Sequence, residues 1–263
     1  MAITPKNTFD AALARPRHLL ALYDVLHDSR KRSARKDWKR SFCNVMHWPV
    51  TEDILRIDGA NGNSMLVLRE SVNMSRQSFT HHYLSELLRG AITASVSALD
   101  KYIHDQIVNR SPILLKLPED QIPSELRKLK LPALTVKRSL EKLKKDSKSR
   151  PSSILKKDMQ EMLQRDETFQ SVSGVEKGAR ILGLKDFWRS MVTEIGEYSN
   201  PGALKEDLSK ITRRRNQIVH EADTVPQQKA QSVKLREISR ADAEFSIEFI
   251  DKFVNAMDII IND

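Results

Sequence analysis

Apolar residues recur every three or four positions through the segment 84–107. Such spacing lines up side chains along one side of an α-helix. It predicts a long helix over about 76–109, which Ser111-Pro112 ends because the residue before a proline disfavours helical backbone. The chain must therefore fold around at least one long helix, whose apolar side is formed by Leu84, Leu88, Ile92, Val96, Leu99, Ile103 and Ile107.

Two further helices are predicted in the last quarter of the chain. The stretch 239–262 carries an apolar stripe, and Ser239 with Asp242 has the spacing of a capping box that starts a helix near 240. Another helix is predicted over about 202–222, after Asn200-Pro201-Gly202. With only 8 glycines and 6% aromatic residues, an all-β fold is disfavoured, because its many tight turns consume glycine. We therefore expect an all-α fold, an antiparallel bundle of helices.

The remaining sequence predicts an N-terminal extension and an insertion. Residues 1–74 are expected to pack on the core as an extension, and 75–263 to form the helical domain, with a basic helical insertion at about 111–200. Within the insertion we predict helices around 134–147, 152–166 and 184–198, joined at Gly174, Gly178 and Gly183. In the extension we predict a helix around 8–28, which is interrupted or started near Pro16. An irregular segment is predicted from Trp38 to Asn63. After it we predict either a short strand or the entry to a helix, at Met65-Leu66-Val67-Leu68.

Charge and cysteine content restrict the possible partners and compartments. The net charge is +9 and the isoelectric point about 9.6, so the surface attracts polyanions, of which nucleic acid is the usual one in the cytosol. An acidic membrane surface would also attract it, but we find no helix with the segregated basic and apolar faces of a lipid-binding segment. A single cysteine, Cys43, allows no internal disulfide. With neither a secretion signal nor a membrane span apparent, we expect a cytoplasmic protein.

The positive charge is concentrated in the segment 127–157. This segment has twelve Lys and Arg residues against two acidic ones, Glu141 and Asp146. Most charge runs are solvated helix faces, but this imbalance favours a surface that follows phosphates. The candidate RNA-binding residues here are Lys137, Arg138, Lys144 and Lys145.

The helix over 202–222 carries the candidate catalytic residues. On a helical wheel that starts at Leu204, Leu208, Ile211, Ile218 and Ala222 fall within about 40°, and Arg215 lies in the middle of this apolar stripe. A buried guanidinium requires a partner. Asn216 and His220 are four residues apart and share one edge, with Asp223 nearby. A structural interpretation pairs Arg215 with a buried carboxylate and leaves His220 on the surface.

A chemical interpretation of the same residues is cleavage of RNA. An imidazole changes protonation near neutral pH, so His220 can take a proton from a ribose 2′-hydroxyl or give one to a leaving 5′-oxygen. A guanidinium can hold the phosphate and stabilise the charge that grows on its oxygens. RNA supplies the nucleophile, so neither a metal nor a cofactor is expected.

One segment of the chain resembles the HEPN superfamily of small helical nucleases. It is Ile211-Thr212-Arg213-Arg214-Arg215-Asn216-Gln217-Ile218-Val219-His220-Glu221-Ala222-Asp223. That signature is Arg, a polar residue, three variable residues and His, and Arg215, Asn216 and His220 match it. The string looks especially like the defence- and RNA-repair-associated branch. The resemblance covers roughly 76–110 and 200–262. Within the first range, one segment is similar to a part of the family in which relatives often keep an acidic residue that faces the site. That segment is Ser97-Ala98-Leu99-Asp100-Lys101-Tyr102.

The resemblance implies a function and partners. It implies a metal-independent endoribonuclease, a toxin or antiviral defence effector, that forms a homodimer with two motifs across a shared cleft. Arg215, Asn216, His220 and Asp100 are then the catalytic candidates, and RNA and an antitoxin or other defence-system protein the candidate partners. Arg213 and Arg214 lie at spacings from His220 that the family tolerates, so the sequence leaves open which of the three arginines is catalytic. Both are also RNA-binding candidates. The alternative is a non-catalytic RNA-binding or adaptor protein of the same fold. A DNA-binding regulator ranks below both, because no helix-turn-helix is evident.

Other polar pairs in the sequence predict no metal centre. Cys43 and His47 have a metal-ligand spacing, but two ligands do not complete a zinc site. His81 and His82 are adjacent and point in different directions on a helix. Asp100 and His104 are four apart, which fits either a second layer around the site or a local surface contact.

Overall fold

The computed structural model describes residues 4–60, 62–145, 152–226 and 233–263, with the side chains of 31–33, 143 and 145 left aside. Within these ranges the chain is mainly helical, and the predicted all-α class is confirmed. The helices are α1 (Pro5–His27), α2 (Lys36–Met46), α3 (His81–Leu114), α4 (Ser124–Arg127), α5 (Ala133–Lys145), α6 (Ser152–Asp166), α7 (Val172–Ile181), α8 (Phe187–Ile195), α9 (Pro201–His220) and α10 (Arg240–Asn262). The strands are β1 (Arg30–Ser33), β2 (Ile54–Asp58) and β3 (Met65–Arg69).

The long helix α3 is the centre of the fold, and the predicted apolar stripe is its buried side. All seven stripe residues are buried, and α1, α6, α7, α9 and α10 pack around them. Burial of one such aliphatic side chain stabilises the fold by roughly 1.5–3 kcal/mol. The predicted bounds need correction at both ends. Residues 76–79 form a separate 3-10 turn, and the helix continues through Pro112 to Leu114, because a proline in the last turn removes a single backbone hydrogen bond and only a few residues follow it.

Helices α9 and α10 begin at capped residues. Ser239 and Asp242 form the predicted capping box at the start of α10. At the start of α9 the Asn200 side chain accepts a hydrogen bond from the Ala203 amide, 3.1 Å away. That helix ends at His220, not near 222 as predicted, because Ala222 and the next residue adopt positive φ angles.

Helix α1 completes the bundle from the N-terminal side. It runs unbroken through the buried Pro16, where the sequence predicts an interruption or a start. Its residues Phe9, Leu13, Leu20 and Tyr23 belong to the same core as α3. The boundary proposed at residue 74 stays a prediction.

A small antiparallel sheet occupies part of the segment predicted to be irregular. Its strand order is β1-β2-β3, and Arg56 at the middle of β2 pairs with Val67. Helix α2 contacts the sheet through Trp38, whose ring centroid lies 4.5 Å from the Arg56 guanidinium. The prediction that Trp38 to Asn63 is irregular is therefore wrong. β1 has no apolar residue and β2 does not alternate apolar and polar residues, so neither carries the period-2 pattern that predicts a strand.

The insertion belongs to the bundle core. Helices α6 and α7 pack directly on α3. Gly174 and Gly178 lie inside α7, not at joins as predicted. A side chain at Gly178 would place Cβ 2.6 Å from Ile103, so glycine allows α7 to approach α3 closely. No helix in the described part of the chain is both long and apolar enough to cross a bilayer.

Candidate active site

The last turns of α9 bring together three of the predicted catalytic residues. Arg215 Nη1 lies 3.1 Å from Asn216 Oδ1 and 3.4 Å from His220 Nε2. Because a guanidinium has donors and no acceptor, His220 Nε2 is the acceptor in this contact. Asn216 and His220 are exposed, whereas Arg215 is half-buried. The site therefore presents a guanidinium and an imidazole nitrogen side by side at the surface.

Arg215 takes the place in the apolar stripe that the helical wheel predicts. Leu208 and Ile211, on the same side of α9, are buried. Among the described residues the enclosed Nε of Arg215 has no hydrogen-bond partner, while Nη1 makes both contacts named above. The stem of the side chain is thus packed against the protein, and the outer part of the guanidinium remains directed to the motif.

The neighbouring arginines have different environments. Both Nη atoms of Arg214 donate to the Asp223 carboxylate, Nη2 at 2.9 Å, and Nη2 also donates to the carbonyl of Glu237. Arg213 is exposed, and no hydrogen bond or ion pair is found for it within the described chain. The arginine that pairs with a buried carboxylate is therefore Arg214, and the one that contacts the histidine is Arg215.

Asp223 is the centre of a buried ion network that the sequence does not predict. It is 1% exposed, and a positive φ of 54° turns it back beneath the end of α9. Besides Arg214, it accepts a hydrogen bond of 2.6 Å from Arg89 Nε on α3. Arg89 Nη2 donates to the Arg236 carbonyl at 2.9 Å. The only sequence signal for this role is an arginine within the apolar run Leu88–Ala91.

Backbone contacts fix the segment that follows His220. The amide of Asp223 donates to the Gln217 carbonyl at 2.9 Å, and the Arg236 amide donates to the Asp223 carbonyl at 2.8 Å. Thr224 and Leu235 form an antiparallel bridge. These contacts tie the end of α9 to the segment before α10, so the position of His220 is determined by tertiary structure as well as by its helix.

The remaining catalytic candidate, Asp100, lies elsewhere on α3. Its carboxylate accepts hydrogen bonds from the Phe169 amide, at 2.6 Å, and from Gln170 Nε2, at 3.4 Å. Along the helix it lies roughly 16 Å from Arg89, at 1.5 Å per residue. His104, its predicted partner, is buried and contacts the Asp100 carbonyl. In this structure Asp100 holds the turn before α7, and the described contacts do not bring it to the motif.

The predicted basic residues of the insertion are also separate from the motif. Lys137, Arg138 and Lys144 are exposed on α5, and the side chain of Lys145 is outside the described part of the structure. Arg138 lies 3.6 Å from the carboxylate of Asp158 on α6. Helix α6 contacts the C-terminal half of α3, where His104 Nε2 is 3.3 Å from the Leu163 carbonyl. The chain thus has two basic regions toward different ends of α3.

Residues of the other polar pairs singled out in the sequence lie in the core, at a helix end or beside a tyrosine. Cys43 is buried, and His47 caps α2 in a left-handed conformation. His81 Nδ1 lies 2.9 Å from the hydroxyl of Tyr23. Burial and nearby carboxylates raise the pKa of this tyrosine above its ordinary value. Within the described ranges no three His, Cys, Asp or Glu side chains form a cluster suited to a metal ion.

The combination of a helical bundle with Arg, Asn and His in this register defines a HEPN-type protein. Residues 68–263 match the model of the RiboL-PSP-HEPN family, and the chain belongs to this family. The match includes the insertion, which the sequence resemblance left out. Family membership indicates a nuclease or RNA-related function. Searches of curated proteins and of solved structures found no match.

Proposed function

We propose that the protein is a metal-independent endoribonuclease whose catalytic residues are Arg215, Asn216 and His220. The observation that carries this proposal is the shared contact of Arg215 Nη1 with Asn216 Oδ1 and His220 Nε2 at the exposed end of α9. A structural role would direct the arginine to a carboxylate, as Arg214 is directed to Asp223.

The proposed reaction is an internal transesterification. When the substrate phosphate takes the Arg215 donor, the lone pair of His220 Nε2 is freed and takes the proton of the ribose 2′-hydroxyl. The 2′-oxygen forms a bond to the adjacent phosphorus, and the bond from phosphorus to the 5′-oxygen breaks. Arg215 donates to the phosphate oxygens on which negative charge grows, and Asn216 orients its guanidinium. The leaving oxygen receives a proton, so the products are a 2′,3′-cyclic phosphate and a 5′-hydroxyl.

The proposed context is cytoplasmic, and the substrate is RNA. The net charge of +9 supports a polyanionic substrate. We propose a homodimer in which two copies of His220 divide the base and acid roles. We also propose a role as a defence effector or toxin that an antitoxin or another defence-system protein restrains.

Incubation of the purified protein with total RNA in EDTA tests the proposal. We expect cleavage in EDTA that the His220→Ala and Arg215→Ala variants lose. Lys210→Ala is the matched control, because it removes one positive charge from the same helix at a residue already paired with Glu206 and Asp207.

Two results would count against the proposal. Absence of cleavage of any RNA by the folded protein would contradict it, as would cleavage that the His220→Ala variant retains. RNA binding without cleavage would instead support the non-catalytic adaptor function.

A further inference from the structure

In the described part of the chain, the side chain of Arg236 has one hydrogen-bond partner, and that partner lies beside the motif. Arg236 Nη2 donates to Glu221 Oε2 at 2.9 Å, and Glu221 directly follows His220 in the chain. The Nε of Arg236 is enclosed and has no hydrogen-bond partner among the described residues. The contact with Glu221 therefore uses Nη2 and leaves Nε without an acceptor.

Other arginines of this chain bind a carboxylate through both of these nitrogen atoms. Nε and Nη2 of Arg69 donate to the Glu52 carboxylate. Nε and Nη2 of Arg240 donate in the same way to Asp24. A planar guanidinium is suited to such paired hydrogen bonds with a carboxylate or a phosphate. At Arg236 the pair is incomplete, so its guanidinium retains a donor for another anion.

The backbone of Arg236 is fixed independently of its side chain. The Arg236 amide donates to the Asp223 carbonyl at 2.8 Å, and the Arg236 carbonyl accepts a hydrogen bond of 2.9 Å from Arg89 Nη2. These contacts hold the residue beside the end of α9. The guanidinium therefore stays near His220 whether or not the Glu221 carboxylate is bound to it.

The ion pair of Glu221 and Arg236 is one that a competing anion can replace. The Glu221 side chain is 51% exposed, and exposed ion pairs contribute little to stability. The neighbouring carboxylate of Asp223, in contrast, is buried and binds both Arg89 and Arg214. Of these two carboxylates, that of Glu221 can leave its arginine without a charge being left unpaired in the core.

We propose that Arg236 binds a phosphate of the RNA substrate and that Glu221 occupies its donor in the free protein. The incoming phosphate displaces the Glu221 carboxylate and accepts hydrogen bonds from both Nε and Nη2. At about 100° per residue, Glu221 and Arg215 leave α9 roughly 120° apart. Arg236 is therefore assigned to a phosphate next to the one that Arg215 contacts, and it positions the strand at His220. The inference rests on the proposed function, because it takes RNA as the bound anion.

Binding of a fully 2′-O-methylated RNA oligonucleotide tests the assignment without cleavage, because the nucleophile is blocked. Arg236→Ala keeps the backbone contacts of this residue, and we expect it to raise the dissociation constant by about tenfold or more. The slope of log K against log salt is expected to decrease in magnitude by about 0.7, the value for one phosphate of a single strand.

Two further variants separate the charge of Arg236 from its geometry. Arg236→Lys is expected to keep the wild-type slope but to lose affinity, because lysine has no planar fork. Lys210→Ala is the matched control for loss of a charge, since Lys210 already pairs with Glu206 and Asp207. We expect this control to leave both the dissociation constant and the slope unchanged.

Glu221→Gln tests the displacement of the carboxylate. Glutamine keeps the size of the side chain and removes its charge, so we expect affinity for the oligonucleotide to rise by up to about fivefold. In the Arg236→Ala background the same substitution is expected to have a smaller effect, because no guanidinium is released. Glu237→Gln is the matched control, since it removes an exposed carboxylate next to Arg236 for which no ion pair is found in the described chain.

Three results would overturn the proposal. The first is a wild type that does not bind the oligonucleotide, and the second is wild-type affinity and slope in Arg236→Ala. The third is a gain from Glu221→Gln that is equal with and without Arg236, since the carboxylate then acts only through its charge. Failure of the wild type to cleave unmodified RNA contradicts the proposed function and leaves these binding results unchanged, so the two failures are distinguishable.

Discussion

Arg89 Nε donates a 2.6 Å hydrogen bond to Asp223 Oδ2, and so joins the first turns of α3 to a residue only three positions after His220. Arg214 binds the same carboxylate from α9. One buried carboxylate therefore satisfies two guanidinium groups from different helices. It also separates the roles of adjacent arginines, because Arg214 holds the end of the helix while Arg215 remains with Asn216 and His220.

Removal of the central carboxylate is expected to destabilise the fold. Asp223→Ala removes the buried charge partner of Arg89, whose remaining charge partner is then the exposed carboxylate of Glu86, at 3.1 Å. Loss of a buried partner costs up to about 3–5 kcal/mol. Arg214→Ala is expected to cost less, since the carboxylate keeps its bond to Arg89 and the side chain of Arg214 is partly exposed. Urea unfolding of the two variants gives this comparison. Equal stability of Asp223→Ala and the wild type would show that the network does not hold the end of α9.

Replacement of Arg215 by lysine is expected to reduce cleavage although the charge is kept. A lysine ammonium is a point charge and lacks the planar fork that can donate two parallel hydrogen bonds to the phosphate. Loss of one such donor in other enzymes lowers kcat by roughly 10²–10³, and we expect a similar decrease here. Single-turnover cleavage measures it, with Lys210→Arg as the matched control on the same helix, at a residue already paired with Glu206 and Asp207. A similar decrease in both variants would contradict the assignment of Arg215.

Neutralisation of the α5 surface is expected to weaken RNA binding without slowing the chemical step. Lys137→Gln combined with Lys144→Gln removes two exposed charges. If both contact phosphates of a single strand, the slope of log K against log salt decreases in magnitude by about 1.4. Filter binding at several salt concentrations gives the slope, and cleavage at saturating RNA gives the rate.

Lys252→Gln is the control for the α5 variants, because Lys252 on α10 already pairs with Glu197. An unchanged slope in the double variant would remove α5 from the RNA-binding surface. A slower reaction at saturating RNA would place α5 at the cleavage site, against the separation between α5 and the motif in the structure.

The parts of the fold that depend on local pattern could be predicted from the sequence. The stripe of α3 and the Ser239 capping box rely on residues close in the chain, and both are present where they were expected. The strand alternative at Met65-Leu66-Val67-Leu68 is confirmed by β3. β1 and β2 were not predicted, because β2 is stabilised by its neighbours in the sheet and by Trp38 of α2. The sequences of β2 and β3 do not alternate apolar and polar residues, so they carry no period-2 signal of their own.

The sequence places Arg215, Asn216 and His220 on one helix, but it does not predict the contacts among them. The helical wheel places Arg215 on the apolar stripe, where its half-buried side chain is found. The separation of Arg214 from the site depends on Asp223, which adopts a left-handed backbone conformation that returns its carboxylate beneath α9. That turn depends on Arg89 and on the segment before α10. Contacts so distant in sequence have no local signal.

Cleavage of one RNA oligonucleotide, compared with the same sequence carrying a 2′-deoxynucleotide at the cut position, tests the central claim most directly. The account predicts cleavage of the RNA in EDTA, with a 2′,3′-cyclic phosphate and a 5′-hydroxyl as product ends. It predicts no cleavage at the deoxy position, because the nucleophile is missing. Equal cleavage of both oligonucleotides, or a 5′-phosphate on the product, would contradict the account.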